Sequence, residues 1–124
     1  MTTDTIADRK SLETPDEVRE FPHGRMDIVT IGGTTFARTV FQPGWKWSES
    51  LKSIMGTESC QMPHAAFLAA GTLHIRMDDG TELDVRAGDL FVVAPGHDAW
   101  VTGAEPCLMY DFPGRDADYA KPGS

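Results

Sequence analysis

Cysteine is scarce in this chain: two in 124 residues, Cys60 and Cys107. That is too few for a disulfide-built scaffold, and there is no C-x-x-C pair to suggest a zinc ribbon or a thioredoxin-like redox site. Long apolar runs are also missing. No stretch approaches the roughly 20 apolar residues that a membrane-spanning helix needs. Met1 to Lys10 contains no apolar segment of the kind a secretory signal carries. Cytoplasmic residence with both thiols reduced is therefore the expectation. Basic residues are few, 11 Lys and Arg against 19 Asp and Glu, for a net charge of −8. Nucleic acid and anionic membranes both call for basic surface, so neither is an expected partner. No phosphate-binding glycine loop and no dinucleotide glycine fingerprint occurs. Ser48, Ser50, Ser53 and Ser59 stand in no nucleophile elbow.

What is present is a regular succession of short strands. The length is that of one domain. Met1 to Glu20 is polar and charged and reads as an arm, with a helical turn after Thr14-Pro15, where Pro suits the first turn and Asp16-Glu17 its positive end. From Asp27 the texture changes. Asp27 to Ile31 and Thr34 to Phe41 flank Gly32-Gly33, a hairpin signal. Ala65 to Ala70 and Thr72 to Met77 flank Gly71. Asp78-Asp79-Gly80 leads into Thr81 to Val85. Leu90 to Val93, Ala99 to Thr102 and Pro106 to Phe112 follow. Such spacing predicts an all-β sandwich or barrel. The expected division is an arm over residues 1–26, a barrel over 27–112 and a tail over 113–124.

Three metal-ligand side chains fall close together in sequence: Glu58, Cys60 and His64. On a strand Glu58 and Cys60 point to the same face. Thiolate, imidazole and carboxylate together suit a borderline-soft ion, zinc first, then iron(II) or nickel. The alternative is a surface Glu58 and a structural Cys60 thiol. His97 follows the turn Pro95-Gly96 and offers a fourth ligand or a general acid or base; a turn histidine paired with Asp98 is the plainer reading. Trp45 and Trp47 flank Lys46 and, if extended, share a face, as walls of an apolar pocket or as barrel-end packing. Arg38 lies within a strand and faces inward to hold a substrate carboxylate, pairs with Asp111, or has a surface role. His74 shares a strand face with Thr72 and Arg76 and reads as part of a polar sheet face.

The frame of glycines around these residues resembles the cupin family. Its first motif is G-x5-H-x-H-x(3,4)-E-x6-G. Counting back from Gly71, the family's Glu falls on His64 and its two His on Cys60 and Glu58. Its second motif is G-x5-P-x-G-x2-H. From Gly88, the family's Pro falls on Ala94, its Gly on Gly96 and its final His on Ala99, with His97 two residues earlier. The frame is kept and all four metal positions are exchanged. The resemblance implies a double-stranded β-helix, or jelly roll, with a short N-terminal arm and pairing into a homodimer through edge strands. It implies a divalent metal, zinc by the donor types, held by Glu58, Cys60 and His64 with His97, and Trp45, Trp47 and Arg38 as substrate contacts. The implied activity is that of a metal-dependent lyase, isomerase, cyclase or hydrolase acting on a small organic molecule. A non-catalytic binding or sensor module and an iron(II) dioxygenase are the rival readings.

Overall fold

The computed structural model describes residues 7–60 and 64–112. Nine strands and two helical turns follow in order: β1 (Glu17–Phe21), β2 (Gly24–Ile31), β3 (Thr34–Phe41), α1 (Trp47–Ser50), α2 (Lys52–Met55), β4 (His64–Ala70), β5 (Thr72–Met77), β6 (Glu82–Arg86), β7 (Leu90–Val93), β8 (His97–Val101) and β9 (Cys107–Asp111). They build two antiparallel sheets, one in the order β1-β2-β3-β9-β4-β7 and a smaller one in the order β6-β5-β8. Side chains alternate along the strands, as an extended backbone requires. Ala37, Thr39 and Phe41 of β3 and Cys107, Met109 and Asp111 of β9 are all buried. The apolar members of these rows join Leu73, Ile75, Val85 and Val101 in a single core.

The expected hairpin around Gly32-Gly33 is there, with Ile31 paired to Thr34 and Gly24 to Phe41. The expected arm is shorter than 1–26. Glu17–Phe21 pairs with β2, Glu17 opposite Ile28 and Phe21 opposite Gly24. Its only apolar anchors are Val18 and Phe21, so it reads as polar in sequence. Phe21 is nonetheless buried, its ring centroid 6.3 Å from that of Phe41. No helix starts after Pro15. The Asp16 N–H donates to the Ile28 carbonyl at 2.9 Å, and its carboxylate accepts from the Thr30 N–H and from Lys10 Nζ. Those bonds lay the chain along β2 in extended form. The first six residues and the tail expected over 113–124 lie outside the described residues.

The two helical turns are the other departure. Trp47, Leu51 and Met55 recur every fourth residue and all are buried, the one-sided spacing of a helix. The Asp98 carboxylate accepts from the Ser48 N–H at 3.1 Å, satisfying one of the amides that the start of α1 leaves open. Just before α1, Val101 donates to the Trp45 carbonyl and Lys46 bridges to Trp100. This short extended piece turns Trp45 and Trp47 inward and Lys46 outward, where its Nζ sits 4.9 Å from the centre of the Trp100 ring.

On the outer face of the small sheet, His74 lies opposite Asp84 on one side and Trp100 on the other. Its Nδ1 is 2.5 Å from Asp84 and its Nε2 2.6 Å from Glu82. These two carboxylates raise its pKa, Asp84 first and then Glu82. A raised folded pKa means that protonation favours the fold. The stabilisation is complete below the unfolded value of roughly 6.5 and fades as pH climbs through the folded value. Both carboxylates are largely solvated, so the expected size is about 0.5 kcal/mol. Urea midpoints of the parent should fall slightly more than those of His74→Gln as pH rises from 6 towards 9. Parallel curves for the two proteins would contradict this.

Candidate metal centre

Cys60 and His97 are brought together by the backbone. Cys60 donates to the His97 carbonyl at 2.7 Å, and the Cys60 carbonyl accepts from Gly96 and His97. This antiparallel bridge places the two residues opposite each other, so their side chains leave on one face. His64 opens β4 and pairs with Val93, the last residue of β7, one turn before β8 begins. Three side chains from three segments thus converge at one end of the barrel. Asp78 anchors the turn that carries His97: its N–H donates to the Gly96 carbonyl and its carboxylate accepts from the Ser59 hydroxyl at 2.8 Å.

The ligand atoms of Cys60, His64 and His97 all lie within 4.8 Å of one another, and all three residues are buried. Cys60 Sγ is 3.7 Å from His64 Nε2. Tetrahedral zinc with ordinary Zn–S and Zn–N bonds separates such atoms by roughly 3.5 Å. The donor set fits a zinc-type ion in number, chemistry and spacing. Orientation supports it. His97 Nδ1 donates to the Ala94 carbonyl at 2.8 Å, which leaves Nε2 as the lone-pair nitrogen. His64 Nδ1 lies 3.7 Å from the buried Asp111 carboxylate, while its Nε2 is the nitrogen near Cys60. The Ala94 bond is the kind of contact that fixes the far nitrogen of a ligating imidazole in the outer layer of a metal site. Burial pushes the Cys60 thiol up, but hydrogen bonds from His64 and then His97, with the charge those rings can carry, more than offset it. The result is about 7 rather than 9, so the metal-binding thiolate is accessible near neutral pH.

The remaining expected residues divide. Glu58 is not brought to the cluster. It lies on a bend after α2 rather than on a strand, its side chain is 93% exposed, and its carboxylate pairs with Lys52 at 2.9 Å. The same-face argument for Glu58 and Cys60 holds only for extended backbone, and the bend removes it. Arg38 does not face the cavity either. It is directly opposite Asp27 on the outer face of the large sheet and bonds Asp27 at 3.0 Å and Glu13 at 2.8 Å. Trp45 and Trp47 do line the cavity onto which His64 and His97 open, a space of about 30 Å³ with Phe41 and Met109 among its walls. Ala99, at the family's fourth ligand position, lines it too. His97 is two residues earlier on the same strand, and strand residues two apart share a face. Asp111 is the site residue that the sequence reading left aside as a possible partner of Arg38. Its place in the inward row Cys107, Met109, Asp111 was the available signal.

Both Trp45 and Trp47 are almost completely buried, at 2% and 1% exposure. Neither indole Nε1 has a hydrogen-bond partner. Neither cysteine is in a disulfide. Cys107 lies on β9 away from this centre; burial raises its pKa to about 11, and its thiol donates to the Thr72 carbonyl at 3.1 Å.

No family profile matches this sequence, and no curated protein matches it. Solved structures do match in fold. The oxalate decarboxylase of Lactobacillus farciminis, in complex with formate, superposes with a TM-score of 0.57 at 17% identity, over 80% of this chain and 31% of that one. KdgF from Halomonas sp. gives 0.53 at 19% identity, over 78% of this chain and 84% of that one. AerE from Microcystis aeruginosa gives 0.55 at 21%, over 74% and 41%. The chain therefore spans about a third of the decarboxylase and most of KdgF. At these identities the likeness establishes the fold, a cupin jelly roll.

Proposed function

We propose that this protein is a metal-dependent enzyme acting on a small organic molecule, with a zinc-type ion held by Cys60, His64 and His97. The observation that supports it most is the convergence of three buried donors whose imidazoles have their far nitrogens turned to Ala94 and Asp111. Three protein ligands leave a coordination position for water or substrate, the arrangement of catalytic rather than structural zinc sites. Bound there, the ion supplies Lewis acidity to a substrate oxygen or to a water. The chain's own part is to hold His97 in one tautomer through the Ala94 carbonyl, to place the Asp111 carboxylate near His64, to shield the centre with an apolar wall, and to keep Cys60 ionisable. His97 is read as a ligand rather than a free acid or base, because its donor atom falls inside the cluster. The lining of the cavity is mostly apolar, as the walls of small-molecule sites generally are.

Two measurements test this. Purified protein dialysed against zinc should retain one ion per chain, and His97→Ala should weaken zinc binding by roughly 10-fold to 100-fold or more. Zinc retained at full affinity by that variant would return His97 to a proton-moving role. In the cobalt(II)-substituted protein, added azide should change the visible spectrum by occupying the open position. A spectrum indifferent to azide, from four protein ligands, would mark the site as structural and sink the catalytic reading.

A further inference from the structure

The outer face of the large sheet carries two apolar rows, set by the cross-strand register. In one, Tyr110 of β9 stands opposite Phe67 of β4, and Phe67 opposite Leu90 of β7. In the other, Ala65 stands opposite Val92. The Phe112 N–H donates to the Ala65 carbonyl at 2.9 Å, which continues this row through Phe112 towards Phe36 of β3. Alternate residues of a strand share a face, so both rows point away from the core that Ala66, Leu68 and Met109 enter. Leu90 at 69% and Val92 at 77% are the most exposed large apolar side chains among the described residues, and Phe36 and Phe112 are exposed as well. The one charged side chain in these rows is Arg38, opposite Tyr110, and its guanidinium bonds Asp27 and Glu13. A continuous apolar face of this kind is the mark of a docking surface.

The same face holds a shape that suits those side chains. Where the arm lies against β2 and β3 there is a recess of about 530 Å³, walled by Leu12, Val29, Ile31, Phe36, Tyr110 and Phe112. Asp8, Arg9 and Lys10 of the arm also line it. An apolar edge at β7 and an apolar recess at β3 thus lie at opposite sides of one face. A two-fold axis through the middle of that face sets the edge of each copy on the recess of the other, the self-complementarity that an isologous dimer requires. Charge points the same way. Each chain carries a net −8, so two copies repel wherever acidic surface meets acidic surface, and these rows are free of that charge. The edges at β1 and β6 are guarded differently, by Glu17, Arg19 and Glu20 in one and Glu82, Asp84 and Arg86 in the other. Residues 113–124, which follow Phe112, contain one aromatic, Tyr119, and no Val, Leu, Ile, Met or Phe, too little to cover two rows. We infer that a second copy of this chain docks here, outer sheet face against outer sheet face, with Leu90 and Val92 of each copy seated in the recess of the other. Side chains make this contact, and it needs no hydrogen-bonded ladder between edge strands.

Sedimentation velocity of the full-length protein, from micromolar to near-millimolar loading, tests this. The parent should sediment as a dimer. Val92→Glu and Leu90→Glu each bring a carboxylate into the contact and should weaken dimerisation roughly 100-fold. Both variants should stay folded, because both sites are exposed on the single chain. Leu83→Glu, at an exposed apolar site on the small sheet, should leave the dimer intact. In a mixture of ¹³C-labelled and unlabelled protein, isotope-filtered NOEs should join the Val92 methyls of one copy to the Phe36 or Phe112 ring of the other. A parent that stays monomeric at every concentration overturns the inference, whether residues 113–124 then prove to cover the face or the recess proves to take up a small amphiphile such as octanoate. A dimer that survives Val92→Glu and Leu90→Glu, or whose NOEs join β7 to β7 across a backbone ladder, overturns it as well.

Discussion

Cys60→Ser should lose tightly bound zinc and, with it, a large part of the thermal stability of the metal-loaded protein. The exchange removes the only thiolate of the cluster while preserving the size of the side chain to within one atom. A serine hydroxyl is a far weaker ligand at neutral pH, because it stays protonated where a thiol held at about 7 is half ionised. Metal that binds only the native state stabilises it in proportion to the logarithm of its occupancy. With free zinc a thousandfold above the dissociation constant the term is about 4 kcal/mol. For a domain of this length that corresponds to roughly 15 °C in Tm. The gap should close in excess chelator, where the parent loses the ligand-linked term that the variant already lacks. A Cys60→Ser protein that retains one zinc per chain, or a gap that persists undiminished in chelator, would show that the thiol acts through packing and not through metal.

This prediction rests on parts of the site that could be read from the chain and on parts that could not. Cys60 and His64 were legible because metal-ligand residue types stood at a spacing measured from Gly71. His97 was legible as a candidate fourth ligand beside Cys60, but the route that brings it there was not. Its placement comes from a backbone bridge between segments far apart in sequence, and no local pattern encodes such a bridge. Glu58 failed for a local reason. Its orientation was argued from strand geometry, whereas Gly56 at φ 78 closes α2 and a bend follows. The strands over 34–41, 72–77 and 90–93 were readable because apolar alternation and Gly turns act within a few residues. β1 was not, since the sequence Glu-Val-Arg-Glu-Phe is an edge strand whose partners supply the order. The helical turns over 47–55 carry Trp47, Leu51 and Met55 at helical spacing, but Ser48, Ser50, Ser53 and Gly56 dilute the pattern. Asp111 shows what a sequence reading misses in the outer layer: the inward row Cys107, Met109, Asp111 marks its face, but not that the strand beside it is β4, which begins at His64.

Gly71 is the position at which one added methyl group should do most harm. It forms the single-residue corner between β4 of the large sheet and β5 of the small one, at φ 85, a left-handed backbone that a side chain tolerates poorly. A Cβ placed there would stand 2.7 Å from the Pro106 carbonyl oxygen and 2.8 Å from both Cα and Sγ of Cys107. Two of those three atoms are backbone and cannot rotate aside. Relief must come from moving β9 away from the corner, and β9 carries Met109 and Asp111 on its inward face. Gly80 supplies the comparison. It sits at φ 92 in the turn before β6, with nothing within 4 Å of the same added atom. Gly80→Ala should therefore cost only the left-handed backbone term, about 1–2 kcal/mol. Gly71→Ala should cost that plus the overpacking, about 3–5 kcal/mol in all. It should also weaken zinc binding, because β9 holds the carboxylate beside His64, whereas Gly80→Ala should leave zinc affinity alone. Urea midpoints and zinc titrations of the two variants side by side decide the matter. Equal destabilisation would mean that the corner yields freely and that its glycine is required for backbone conformation alone.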